Sequence, residues 1–136
     1  MSKKQVLVLC TGNSCRSIMA EALINSYLGE CIEAQSSGVK ASGVVNIHAK
    51  NLLHSKNQWR ESYHSKVIET LLDTPFDLIV TVCEHAKENC PVFPKAVKTV
   101  HVSFDDPSGK AVIEYEVTYN RIKEELLPVV KNMLCN

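Results

Sequence analysis

The stretch VLVLCTGNSCRS, residues 6–17, joins an apolar run to a loop of small polar residues holding two cysteines and one arginine. Such a loop is poor core material. An apolar run that stops in Gly, Asn and Ser reads as a buried strand ending in a turn. Residues 17–28 then carry Met19, Ala22, Leu23 and Tyr27 on one helical face, with Gly29 as the stop. Strand, loop and helix in this order open a βα unit.

The alternation continues outward. Strands are expected over 5–10, 31–37, 76–83 and 97–104, with FDLIVTVC (76–83) the clearest, and helices over 45–53 and 64–72. Tyr115, Tyr119, Ile122, Leu126, Val129, Val130 and Met133 trace a last helical stripe. Pro128 inside it removes a backbone donor and should kink or end that helix. The pattern predicts an α/β fold, a single domain over 1–136 with a small parallel sheet of about four strands and helices on both faces. In such sheets ligands bind beyond the carboxyl ends of the strands. Three unusual loops, 10–17, 83–91 and 105–109, each follow a strand.

The 136 residues favour one domain, and Lys plus Arg (15) equals Asp plus Glu (15). Zero net charge argues against a nucleic-acid partner and gives no support for an anionic membrane surface. No apolar run approaches the roughly 20 residues needed to span a bilayer. The apolar part of MSKKQVLVLC is too short for a signal peptide, so a cytoplasmic protein is expected. In a reducing cytosol its six cysteines are buried hydrophobes, metal ligands or redox groups. Cys31 and Cys135 read as ordinary hydrophobes.

The loop 10–17 suits an oxyanion. Backbone N–H groups of Thr11, Gly12, Asn13, Ser14 and Cys15 in a tight turn opening a helix make an anion nest. Gly12 and Asn13 tolerate positive φ, and Arg16 adds a planar fork for two oxygens. The same positive surroundings favour a thiolate at Cys10, to which the Ser17 hydroxyl can donate. Cys15 is expected to pack under the helix. The plainer alternative is a strand-to-helix turn with a buried Cys10. A second thiol pair stands in VCEHAKENCP, where six residues separate Cys83 from Cys90. The pair reads as redox thiols, as incidental thiols, or as a zinc site with His85, although zinc usually takes four ligands at tighter spacing. His85, His48, His54 and His101 read as surface loop residues.

CTGNSCRS followed by MAEAL resembles the signature of the low-molecular-weight protein tyrosine phosphatase superfamily, which includes the thioredoxin-coupled arsenate reductases. The resemblance implies a general acid in an Asp-Pro pair, matched by Asp106 in FDDPSG, with Asp105 a solvated neighbour. Arsenate reductases of this kind carry a cysteine pair like Cys83 and Cys90 followed by proline, here Pro91; the phosphatases generally lack it. Those phosphatases usually place a tyrosine after Asp-Pro, where this chain has Ser108 and Gly109, and the loop 42–46 has no aromatic residue.

The resemblance therefore implies arsenate as substrate (phosphate or sulfate as mimics), a Cys10 nucleophile, Asp106 as acid, and a relay through Cys83 and then Cys90 to thioredoxin. The segment Glu84 to Asn89 is expected to be a polar loop able to move. A monomer with no organic cofactor is expected; no G-x-G-x-x-G follows a strand. The alternatives are a phosphatase of phosphate monoesters and a non-catalytic oxyanion-binding regulatory module. The likeness is weak over NQWRESYHSKV (57–67). It also implies a potassium ion near Asn13, Glu21 and Ser36, with an acidic ligand close to Ser65. This chain has Lys66 there, either replacing the ion's charge or standing as an exposed helix residue.

Overall fold

Val6, Leu7, Val8 and Leu9 are all fully buried. Neighbours along a strand point to opposite faces, so both faces of this strand are covered. It is the central β1 (Lys4–Cys10) of a computed structural model that describes residues 3–94 and 96–135. With β2 (Ile32–Gly38), β3 (Leu78–Thr81) and β4 (Lys98–His101) it forms a four-stranded sheet of order β2-β1-β3-β4, parallel throughout. The chain leaves β1 first to one side and then to the other. The carboxyl ends of β1 and β3 thus flank the switch in strand order, where such folds bind ligands.

Helix α1 (Arg16–Leu28) lies against β1 and β2 and also meets α2 (Ile47–Ser55), α4 (Val112–Glu125) and α5 (Leu127–Leu134). Enclosed on every side, it is buried from Ser17 to Asn25. Tyr27, expected on its buried face, is instead half exposed beneath Lys123. Tyr115, Tyr119, Ile122, Leu126 and Val130 bury the expected stripe. The stripe breaks at Leu126, with Pro128 in the first turn of α5, where its missing N–H costs least.

Two expectations fail for tertiary reasons. The helix over 64–72 is not formed: Gly38 N donates to the Lys66 carbonyl at 2.9 Å and Gly38 bridges Val67 in parallel. That pairing holds 64–67 extended, and only Ile68–Leu71 winds into a 3-10 turn. The segment after Cys83 is not a plain loop but the five-residue helix α3 (Glu84–Glu88). Cys31 and Cys135 are not incidental hydrophobes either. They form a disulfide across 104 residues of sequence, because α5 returns the end of the chain to the start of β2.

Candidate active site

Four carbonyls of the loop after β1 point away from its centre. Those of Cys10, Thr11, Gly12 and Ser14 accept from the N–H groups of Val39, Lys40, Ser42 and Asn46 at 2.8–3.0 Å. In each planar peptide the N–H points opposite to the C=O. The N–H groups of Thr11, Gly12, Asn13 and Cys15 are thereby turned inward, and Asn13 N donates to Cys10 Sγ at 3.3 Å. A ring of inward N–H groups opening α1 is an anion cradle centred on the Cys10 sulfur. Within this loop Asn13 alone takes a positive φ (51°); Gly12, expected to share that conformation, does not. The glycine the cradle depends on is Gly38, where a Cβ would collide with the Thr11 carbonyl.

Cys10 Sγ lies 2.9 Å from Ser17 Oγ, which also accepts from Asn13 Nδ2 at 2.8 Å. Ser14 stands half-buried in the loop. Cys15 is buried as expected, and its burial, with Asp106 nearby, pushes its thiol up to about 12, which keeps it neutral. Arg16 aims its guanidinium at the Asp-Pro loop. Nη1 donates to the Phe104 carbonyl at 3.1 Å and Nη2 lies 3.7 Å from Asp106 Oδ2. Burial opposes ionisation of Asp106, but hydrogen bonds from Ser108 and the charges of Arg16 and Lys110 outweigh it and hold the carboxyl below its ordinary range. Asp105 points elsewhere, exposed and 3.8 Å from Arg121.

Register brings the second thiol to the first. Leu9 pairs with Thr81, and Val82 N donates to the Leu9 carbonyl, so Cys83 emerges on the adjacent strand opposite Thr11, the residue after Cys10. Thr11 Oγ1 lies 3.3 Å from Cys83 Sγ. This link between the two loops was invisible in the sequence, where Thr11 stood only as part of the nest. Cys83 also caps α3, its sulfur accepting from Ala86 N at 3.4 Å. Cys90 lies past the other end of that helix, half-buried against Ile79, Phe93, Val97 and Thr99, and burial pushes its thiol up. Cys83, His85 and Cys90 are not gathered into a metal-ligand cluster. His85 is exposed on α3, and His48 and His54 are exposed on α2 rather than in loops. His101 departs furthest from its expected surface loop. It ends β4 and binds Thr81 and Glu84.

Asn13, Glu21 and Ser36 meet under the cradle. Ser36 Oγ donates to Glu21 Oε1 at 2.6 Å and accepts from Asn13 Nδ2 at 2.9 Å. Burial pushes the Glu21 carboxyl up to about 7, while Ser36, Lys66 and Arg60 pull it back. Asn13 turns its NH2 group into this cluster and gives its Oδ1 to Lys66 N at 2.8 Å. A cation's shell is built from oxygens, and in this orientation Asn13 offers the cluster a donor instead. Lys66 is half-buried in an extended segment, not exposed on a helix.

The family model described as low molecular weight phosphotyrosine protein phosphatase matches residues 5–134. An arsenate reductase of Bacillus cereus is 40% identical over 125 residues, covering 92% of this chain and 92% of its own length. Arsenate reductase 2 of Staphylococcus saprophyticus is 38% identical over 136 residues, 100% of both chains. The crystal structure of an arsenate reductase from Archaeoglobus fulgidus superposes with a TM-score of 0.78 at 31% identity, over 92% of this chain and 98% of that one.

Proposed function

This chain belongs to the low molecular weight phosphotyrosine protein phosphatase family, and on that premise we propose that it is an arsenate reductase working by a triple-cysteine relay. The observation that carries this reading is Cys83 at the rim of the Cys10 loop, its sulfur 3.3 Å from the hydroxyl of Thr11, the residue after Cys10. A phosphatase has no use for a second thiol there. The full-length similarity to arsenate reductases supports the same substrate.

In the proposed mechanism the Cys10 thiolate attacks the arsenic of arsenate held by the inward N–H groups and Arg16. Asp106 protonates the departing oxygen, which leaves as water. Its carboxyl, held low by Ser108 and Arg16, gains the proton when the dianion takes up the Arg16 fork and repels the carboxylate. The Cys83 thiolate next attacks the Cys10 sulfur. The sulfur–arsenic bond breaks, its electron pair stays on arsenic, and arsenite leaves behind a Cys10–Cys83 disulfide. Cys90 then attacks Cys83 and frees Cys10.

That last exchange needs α3 to unwind. Cys83 caps one end of α3 and Cys90 lies past the other; a helical rise of ~1.5 Å per residue over the intervening residues sets them on the order of 10 Å apart, beyond the ~7 Å limit of a disulfide. An external dithiol, thioredoxin in this proposal, reduces Cys83–Cys90. A thioredoxin reductant is in keeping with a cytoplasmic enzyme. Every group invoked comes from one chain, so a monomer suffices for the relay. No step passes through a metal ion. Lys66 and Arg60 supply the charge that Glu21 needs.

The test is arsenate reduction coupled to thioredoxin, run beside hydrolysis of an aryl phosphate. Cys83→Ser and Cys90→Ser should each block multiple turnovers with arsenate while sparing ester hydrolysis. Mass spectrometry of Cys90→Ser after one turnover should find Cys10 joined to Cys83. Wild-type rates over many turnovers in both variants refute the relay. Ester hydrolysis without arsenate reduction by the wild type would favour a phosphatase, for which Cys10, Arg16 and Asp106 suffice. A chain that binds oxyanions and turns over neither substrate is a regulatory module.

A further inference from the structure

Thr81 ends β3, His101 ends β4, and the sheet register sets them side by side. Thr81 Oγ1 lies 2.7 Å from His101 Nδ1, and His101 Nε2 lies 3.0 Å from Glu84 Oε1. Glu84 is the first residue of α3, next to Cys83. A carboxylate only accepts, so Nε2 carries the proton that faces Glu84, and in the neutral ring Nδ1 accepts from Thr81. One imidazole thus ties the buried end of the sheet to the first turn of α3.

A helix of five residues does not stand by itself. Ala86 packs it into the core, the Cys83 sulfur caps its first turn, and Asn89 Nδ2 closes its last by donating to the His85 carbonyl at 2.8 Å. The relay makes opposite demands on it. α3 must hold Cys83 beside Cys10 while arsenite is made, then unwind so that Cys83 can meet Cys90. We propose that His101 is a positioning residue for the relay, a latch that keeps the Cys83–Glu84 end on the sheet during the first exchange and slows the second. This rests on the relay reading.

The test is a single turnover with one equivalent of arsenate, acid-quenched, alkylated and resolved by mass spectrometry. Glu84→Ala and His101→Ala should each shorten the lifetime of the Cys10–Cys83 disulfide about three- to fivefold, the effect that loss of one part-exposed hydrogen bond supports. The arsenite burst should change far less, because it needs no unwinding. The double variant should do no more than either single one, since both cut the same tie. His101→Gln, which can still reach Thr81 and Glu84, should recover part of the lifetime. A merely structural histidine would not separate the two steps in this way.

Hydrogen exchange of the α3 amides without arsenate gives a reading independent of the chemistry and should rise in both alanine variants. An unchanged disulfide lifetime, or unchanged exchange in α3, overturns the latch. Absence of any arsenite burst in the wild type instead overturns the relay, and the exchange measurement then still decides whether His101 holds α3.

Discussion

Cys10 and Cys83, at the carboxyl ends of β1 and β3, are free thiols, and each sulfur is met by a side-chain hydroxyl and a backbone N–H. At the opposite end of the sheet Cys31, just before β2, is bonded to Cys135 just after α5. The seven residues of β2 separate the two ends by about 20 Å at ~3.3 Å per residue. The surroundings fix what each thiol can do. At the carboxyl ends, helix-opening turns present N–H groups to the sulfurs, and the five-residue α3 can give way between partners. At the amino end the partners are adjacent already, and joining them closes a long loop. Oxidation there ties the chain rather than moving it.

The largest effect that tests this contrast is at Cys10. Cys10→Ser should abolish arsenate reduction and any aryl phosphate hydrolysis, whereas Cys31→Ser should leave both rates intact. Reduction by Cys10→Ser at the normal rate sinks the assignment of the nucleophile; a comparable loss in Cys31→Ser would erase the distinction between the ends. Arg16→Lys should also fall steeply, by about a hundredfold or more, since a point charge cannot replace the two-pronged donor that the mechanism turns from Phe104 and Asp106 onto the oxyanion. Steady-state assays on the three variants read all of this.

The next effect concerns stability. A disulfide closing a loop of 104 residues restricts the unfolded chain, and removing a bond of this kind costs about 2–4 kcal/mol. Cys135→Ser should melt several degrees below the wild type without reductant and together with it in excess dithiothreitol, at unchanged turnover. Cys135 is half-buried at the end of α5, so the substitution leaves no core hole. Identical melting without reductant means that the bond is absent in solution.

The two ends also differ in how far they could be read from sequence. The cradle was legible because it is local. Cys10, Asn13, Arg16 and Ser17 lie within one strand-to-helix turn, and their spacing carries their geometry. Cys83 and Asp106 were legible because parallel topology gathers loops that follow strands. The disulfide was not, since nothing near Cys31 points to a residue 104 positions away. Helix α3 was too short for any periodicity and depends on its Cys83 cap. Residues 64–67 carried helical spacing, but pairing with Gly38 won. His101 looked like a surface residue because neither Thr81 nor Glu84 is its neighbour in sequence.

The last expected effect lies beneath the cradle, at Glu21, and is spread over the widest range of pH. Its carboxyl titrates near 4.5 when ordinary and at about 7 here, raised by burial. Between those values the folded chain binds more protons than the unfolded one, so stability is full below 4.5 and falls as pH rises through 7. The whole span amounts to about 3 kcal/mol. Glu21→Gln should flatten that slope in melting experiments across pH 5–8. Lys66 and Arg60 are the positive charges that already lower this carboxyl, and Asn13 offers the cluster a donor rather than an oxygen. Exchanging sodium for potassium at fixed ionic strength should therefore leave melting temperature and turnover unchanged. A bound ion would pull the Glu21 carboxyl down and raise the melting temperature most above pH 7, where the carboxylate is formed. A clear potassium-specific rise there, lost in Glu21→Gln, means that Asn13 reverses its amide to coordinate the ion and that Lys66 does not replace it.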